Sequence, residues 1–514
     1  MAAAVAIAIA LPLIYLVIRT AGMGGEEFLA LVSRPRTVTV LFNSAIMAAI
    51  VTVCSALIAV PLAFLTVRTD IPWRQFWLVT TTLPLAVPSY VGSFTLIATF
   101  GPRGSLLQLL LEPLGVQELP SIYGLPGVVL ALTLFTYPYL LLSVRSGLQG
   151  IDPALEEAAR SLGQSPRKTF FRVLLPQLRP SLVAGGLLVA LYSLRDFGTP
   201  SLMRFDAFTR VIFVQYKASF NRSSAAALAL VLVGLVLLIL WLENKVRSRA
   251  AYYSRGSGRS RSQKIVKLGR WKWAALAFCT CVVSLSLVLP VGITIFWLIR
   301  GFTLNATLPN LIPEVINSIG VAGLAAGVTT LFAFPVAILS VRFPGRITAL
   351  IERTSYIGFG LPGIVVALSL VFFGANYVPW LYQTLPMLIF AYLVLFLPQS
   401  VGTVRSSLLQ VNPQLEESAR ILGRTPWNTL KEITLPLVRS GVFAGAMLVF
   451  LTAIKELPAT LLLSPIDFET LAIQIWKATE NVSFAEAAAG SLTLLLVSIG
   501  STLFLLFQER VKKF

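Results

Sequence analysis

Twelve apolar runs govern what this chain can become. They fall at about 2–19, 41–67, 77–100, 124–144, 180–203 and 224–242 in the first half. In the second half they fall at about 274–299, 315–341, 354–374, 384–403, 440–463 and 485–507. A hydrocarbon core of ~30 Å takes about 20 helical residues to cross. Inside lipid each segment must bond its own backbone, so runs of this length read as helices. The predicted class is an all-α polytopic membrane protein of about twelve transmembrane helices. Composition agrees: 56% of the 514 residues are hydrophobic and only 12% charged, about half the charged share of a soluble chain. The first run could be taken for a secretory signal, but it lacks a positive leader. It is read as a retained first helix, with its basic leader expected to be missing from this chain.

The chain repeats itself. Glu157 to Pro176, EAARSLGQSPRKTFFRVLLP, matches Glu417 to Pro436, ESARILGRTPWNTLKEITLP, at an offset of 260. Pro153/Pro413, Glu156/Glu416, Glu157/Glu417, Ala159/Ala419, Arg160/Arg420, Gly163/Gly423 and Pro176/Pro436 all align. Each copy is polar in an apolar chain. Each reads as a short helix, a break at the glycine, a proline opening a second helix, and a stop before the proline of the Leu-Pro pair. Upstream, residues 41–68 parallel 315–342 at an offset of 274, aligning Asn43/Asn317, Pro61/Pro335 and Arg68/Arg342. The first half therefore holds about 14 extra residues, expected in the loop near 102–124. Equal span counts between like-facing loops make the duplication parallel, with a pseudo-two-fold along the membrane normal. The expected units are a first membrane half, 1–242, a basic Gly/Ser/Arg tether, 243–273, and a second half, 274–514.

The duplicated segment resembles the EAA loop of the membrane subunits of bacterial ABC importers: E-A-A, three residues, G, nine residues, I-x-L-P. Val173 replaces the isoleucine in the first copy and Ser418 the first alanine in the second. The resemblance implies that each loop docks into an ATP-binding subunit and passes its movement to the membrane helices. It assigns that coupling to Glu156, Glu157, Ala159, Arg160, Gly163 and Pro176, and to Glu416, Glu417, Ala419, Arg420, Gly423 and Pro436. The plain alternative is a basic loop that only obeys charge topology.

Charge sets the expected orientation. If both loops, the tether, the 68–76 and 342–353 loops and the C-terminus share one side, that side carries 29 of the 41 Lys and Arg. The positive-inside rule makes it cytoplasmic, with both termini there. The net charge of +19 lies in short flanks of apolar runs, which argues for topology and lipid headgroups rather than nucleic acid. Histidine is absent, which excludes imidazole metal sites and His-based acid–base chemistry. Cys54, Cys279 and Cys281 form no CxxC and read as small buried hydrophobes. GQSPRKT at 163–169 lacks the second glycine of a phosphate-binding loop, so ATP and Mg belong to a partner and the chain itself is not an enzyme.

Two charged pairs interrupt the apolar runs, Arg195-Asp196 and Lys455-Glu456, again at an offset of 260. Charge inside a span is costly and points to function. Adjacent residues cannot pair within one helix, so the expected arrangement is cross-pairing, Arg195 with Glu456 and Lys455 with Asp196, at an outer gate. A static ion-pair clasp is the competing reading. Beyond the pairs, FDAFTRVIFVQYK and IDFETLAIQIWK carry Lys217 and Lys477 in register and acids expected to face outward, Asp206, Asp467, Glu469 and Glu480.

SLRDFGTPSLM and IKELPATLLLSPIDFETLAIQIWKATE resemble the fused permeases of bacterial ferric-iron ABC importers of the Fbp/Sfu/Fut type. This resemblance implies Fe³⁺ as cargo, a periplasmic iron-binding protein, two separate ATPase subunits and a bacterial inner membrane. Fe³⁺ favours hard oxygen ligands. No single span holds a cage of tyrosines and carboxylates, which suits a conduit that must release its cargo. Thiamine, a phosphonate or another small solute by the same mechanism stays open. An ion-driven secondary transporter is the rival from another class, but it would have no use for two docking loops.

Overall fold

The computed structural model describes residues 1–218, 222–250, 265–304 and 309–511. Among them the chain is mostly helical, with no strand beyond an isolated bridge between Thr69 and Val266. Nine helices are long and apolar enough to cross a membrane, and three bent pairs raise the number to twelve if each counts as one span. The fourth of each half, Leu125–Gly150 and Leu385–Leu408, is 72% buried over its apolar stretch, against 28–44% for the other long helices. These two form the centre. The others turn large apolar side chains outward, among them Phe42, Leu57, Leu237, Leu324 and Leu331, as lipid-facing helices do.

The third run of each half does not cross straight. Arg74–Ala86 meets Ser89–Phe100 at 96°, and Arg346–Gly360 meets Gly363–Tyr377 at 105°. Each bend precedes a proline, Pro88 or Pro362, 274 residues apart. A residue before proline is pushed out of the α region; Val87 and Leu361 accordingly take extended ψ values of 117° and 127°. The expected continuous spans 77–100 and 354–374 are corrected to broken elements. The fifth runs also end early, at Arg195 and Ala453, followed by short helices Gly198–Leu202 and Pro458–Leu463.

No stop occurs before Pro176 or Pro436. A wide π-turn, Phe170–Leu174 or Leu430–Thr434, precedes each proline and relieves the clash of its ring with the preceding turn. The second copy then runs on unbroken as Leu435–Ala453. The first copy bends by 60° before Arg179–Arg195. Pro180 is the difference: it removes another backbone donor where the second copy has Ser440.

The halves interleave. Ser369 of the second half donates to Pro12 O in the first helix at 2.7 Å, and the Trp297 indole, on the second half's first helix, donates to Ala98 O at 3.4 Å. The extra first-half residues sit where expected, between helices ending at Phe100 and starting at Leu125; they hold the helix Leu106–Leu111. The tether is shorter than expected. The sixth helix runs to Ala250 and the second half is helical again from Gly269. Residues 265–268 are pinned by Asp70 N to Val266 O at 3.2 Å, Val266 N to Arg68 O at 2.8 Å and Leu268 N to Asp70 Oδ1 at 2.8 Å. The flexibility expected of 251–264 lies outside the described residues.

Candidate coupling loops and central cavity

Each loop helix, Pro153–Ser161 and Pro413–Ile421, starts at a capped aspartate or asparagine. Asp152 Oδ1 accepts from Ala154 N at 2.9 Å and Asn412 Oδ1 from Gln414 N at 3.0 Å, with proline in the first turn. Each stops at a left-handed glycine, Gly163 with φ +76° and Gly423 with φ +86°. The closing bonds repeat: Gly163 N to Arg160 O with Gln164 N to Ala159 O, and Gly423 N to Arg420 O with Arg424 N to Ala419 O. This double closure satisfies the last carbonyls and favours glycine at the turn.

The glutamates divide the work. Glu156 and Glu416 face inward, 13% and 12% exposed, and meet the end of the second long helix: Arg68 at 3.6 Å, Arg342 at 3.0 Å. Glu156 also pairs with Arg160 at 2.9 Å, and Glu416 accepts from Thr434 Oγ1 at 2.9 Å. These two glutamates anchor the loop to the membrane helices instead of presenting it. Ala159 and Ala419 are buried, their helices packing against the second limb of the same loop, whereas Glu157, Glu417, Arg160 and Arg420 are exposed. Beside them stand Leu162 and Leu422, each 82% exposed. Paired apolar side chains so open to water mark a contact surface. Arg68 and Arg342 were legible only as aligned arginines; their role needed the partner glutamates.

The charged pairs meet where the halves join, yet not as expected. Among the described residues neither Arg195 and Glu456 nor Lys455 and Asp196 form an ion pair. Each cation reaches across to a backbone carbonyl of the opposite half. Arg195 Nη1 donates to Phe359 O at 2.6 Å, and Lys455 Nζ donates to Leu85 O at 3.0 Å. Leu85 and Phe359 are themselves equivalent, 274 residues apart, at the C-terminal ends of the first limbs of the broken elements. Helix-end carbonyls lack intrahelical donors and carry negative dipole, so a cation there is favoured.

The carboxylates turn the other way and cap the next short helix. Asp196 Oδ2 accepts from Thr199 N at 2.8 Å and Oδ1 from the Ser89 hydroxyl; Glu456 Oε1 accepts from Ala459 N at 3.3 Å. Gly363 stands where the first half has Ser89, and a Cβ there would meet the Glu456 carboxylate. The outer segments dock equivalently: Asn43 Nδ2 donates to Asp206 O at 3.3 Å and Phe208 N donates to Ser44 Oγ at 3.0 Å, while Asn317 Nδ2 donates to Glu469 O at 2.9 Å and Leu471 N to Ser318 Oγ at 2.8 Å. This sets an offset of 263 there and corrects the apparent register of Lys217 with Lys477. Lys217 lies over Phe213, and Lys477 pairs with Glu469.

These groups enclose a cavity of about 230 Å³ between the halves, lined by both charged pairs, Tyr90, Tyr139, Tyr192, Gln399 and Thr452. Each tyrosine lies in a different helix, so no local spacing in the sequence brings them together. The available signal was their mismatch in the repeat, Tyr139 against Gln399 and Tyr192 against Thr452. Among the described residues no group of three or more Cys, Asp or Glu is placed to hold a metal ion.

A doubled bundle of membrane helices with a cavity at its joint and two matching loops defines a membrane transport subunit. The comparisons agree. Residues 53–252 and 330–513 match the binding-protein-dependent transport system inner membrane component, and the chain belongs to that family. It is 35% identical over 507 residues, 98% of this chain and 96% of the relative, to the Fe(3+)-transport system permease protein FbpB 2 of Haemophilus influenzae. It is 23% identical to the ferric transport system permease protein FbpB of Actinobacillus pleuropneumoniae, over 93% of this chain and 72% of that one. A shorter match, 33% identical over 37% of this chain and 69% of the relative, is the molybdenum transport system permease protein ModB of Mycobacterium bovis.

Proposed function

We propose that this chain is the fused permease of a bacterial inner-membrane ABC importer that carries ferric iron inward. The observation that carries the cargo is likeness to an Fe(3+)-transport permease along both halves, 98% of the chain. A periplasmic iron-binding protein delivers Fe³⁺ to the outer segments, and two separate ATPase subunits dock at the loops. Glu157, Glu417, Leu162 and Leu422 form the docking face. Glu156 with Arg68, and Glu416 with Arg342, transmit the pull to the second helix of each half. The loops and both termini are cytoplasmic, following the positive-inside rule, and the halves are related by a two-fold along the membrane normal.

At the outer gate Arg195 and Lys455 hold the broken elements of the opposite half. Separation of the halves parts the two cation–carbonyl contacts together and opens the cavity. Proteoliposomes holding the chain, its ATPase and an iron-loaded binding protein are expected to accumulate radioactive iron only with ATP. Uptake without the ATPase, or undiminished uptake after both loops are scrambled, would overturn the coupling. Molybdate uptake in place of iron would overturn the cargo.

A further inference from the structure

Phe197 sits at the joint with an aromatic partner in each half. Its ring centroid lies 4.8 Å from that of Phe213 in its own half and 5.1 Å from that of Trp476 in the other. The docking of Phe208 on Ser44 and of Leu471 on Ser318 makes Phe213 and Trp476 equivalent, 263 residues apart. One ring is therefore seated between matching aromatic residues of the two outer segments, Phe208–Ala218 and Leu471–Glu480. Phe197 and Trp476 are 1% and 3% exposed, and Phe197 also lines the central cavity. Its counterpart at an offset of 260, Leu457, lines the cavity too but carries no ring. The ring that meets both outer segments thus comes from the first half alone.

The first half fixes this ring in place. Just before it, Asp196 accepts from Thr199 N at 2.8 Å through its carboxylate and from Thr209 Oγ1 at 2.7 Å through its backbone carbonyl. Just after it, Gly198 lies so close to the broken element that a Cβ would stand 2.6 Å from Tyr90 Cβ. All of these partners belong to the first half. When the halves part, Phe197 therefore leaves with Phe213, and the contact that breaks is the one with Trp476. The Trp476 indole N–H has no hydrogen-bond partner among the described residues. A buried donor without a partner is costly, and water that reaches the indole on separation removes the cost. The closed contact carries its own push toward opening.

We propose that Phe197 is the outer permeation barrier of this chain, shut against Trp476 and withdrawn with the first half. The proposal rests on the permease reading above and names the side chain that the cargo has to pass. Three packed rings offer a hydrated ion no ligand, and an apolar constriction of this kind excludes water as well as charge. The work is divided between neighbours. Arg195 and Lys455 latch the halves through their carbonyl contacts, while the rings close the space between the outer segments.

The test places a reporter thiol in the cavity, Thr452→Cys, in the full chain with Cys54, Cys279 and Cys281 changed to alanine. Spheroplasts carrying this chain and its ATPase, washed free of binding protein, receive a membrane-impermeant cationic methanethiosulfonate from outside. The thiol should label slowly. Phe197→Ala should speed labelling at least tenfold. Phe197→Leu, which installs the residue the second half already folds with, should speed it at least threefold, and Phe42→Ala, on a lipid-facing ring, less than twofold. Equal labelling with and without the Phe197 substitutions would overturn the barrier. A second measurement bridges Phe197→Cys to Trp476→Cys with a short bifunctional thiol reagent, in proteoliposomes holding the ATPase and iron-loaded binding protein. Iron uptake should fall at least tenfold on bridging and return on reduction; uptake undiminished by the bridge would also overturn the barrier. A complex that takes up no iron before bridging would instead sink the proposed cargo, with the labelling rates still deciding the barrier.

Discussion

Arg145 and Arg405 hold equivalent positions in the two halves, yet they grip different partners. Arg145 is threaded into the first broken element, donating to Leu78 O and Thr82 Oγ1 at 3.0 Å and to Thr81 Oγ1 at 2.6 Å. Arg405 meets Glu352 at 3.0 Å. What both halves keep is a tether from the fourth helix to the broken element; the chemistry of the tether differs. Arg195 and Lys455 keep more, since the cation and the carbonyl it seeks are both equivalent. Tyr139 and Tyr192 keep less, for their counterparts share neither charge nor ring. Features shared between halves hold the two together or move them in step.

The loop anchors offer the largest break in this parallel. Removing one partner of a buried ion pair costs about 3–5 kcal/mol, so Arg68→Ala with Arg342→Ala should uncouple the loops and reduce ATP-driven uptake more than tenfold. The single changes should differ. Arg68→Ala leaves Glu156 its bond to Arg160, whereas Arg342→Ala leaves Glu416 only a neutral hydroxyl. Hydrogen exchange in the loop helices should therefore rise more for Arg342→Ala.

Next in size is the contrast between Gly363 and Ser89. Gly363→Ala pushes a methyl into the Glu456 carboxylate and to 3.0 Å from Pro458 Cγ; overpacking of this kind costs about 1–3 kcal/mol. Ser89→Ala removes only a hydroxyl from Asp196, about 1 kcal/mol. Thermal unfolding in detergent should show the larger loss for Gly363→Ala.

Arg145→Lys should be the costlier of the two tether changes, about 1–2 kcal/mol, because one ammonium cannot replace a fork serving several acceptors. Arg405→Lys, at a half-exposed ion pair, should stay within about 1 kcal/mol. The same melting measurement decides between them. Smallest of all, Pro180→Ser gives the first half the second half's residue and should straighten the 60° bend. Distances between spin labels flanking residue 178 should lengthen, with uptake within twofold of wild type.

The short loop helices and their glycine turns were legible from the chain, because a helix and its end are written within a few neighbouring positions; the absence of a stop before Pro176 and Pro436 was not. The breaks at Pro88 and Pro362 were legible in principle from the same local rule, but a mostly apolar run of spanning length reads as one straight span. The inward turn of Glu156 and Glu416 was not legible. Aligned position marks equivalence between halves but says nothing of which way a side chain faces.

The chain's own order of residues determined the class of protein: apolar runs of spanning length, their duplication, and the two polar loops follow from local hydropathy and spacing. The tertiary structure decided what the charges inside the membrane do. Arg195 and Phe359 are 164 residues apart, and Lys455 and Leu85 are 370 apart. Opposite charges suggested ion pairs, but the broken elements present unpaired helix-end carbonyls at the joint, and the cations take those. Only the bend angles, which no local rule supplies, bring such carbonyls within reach.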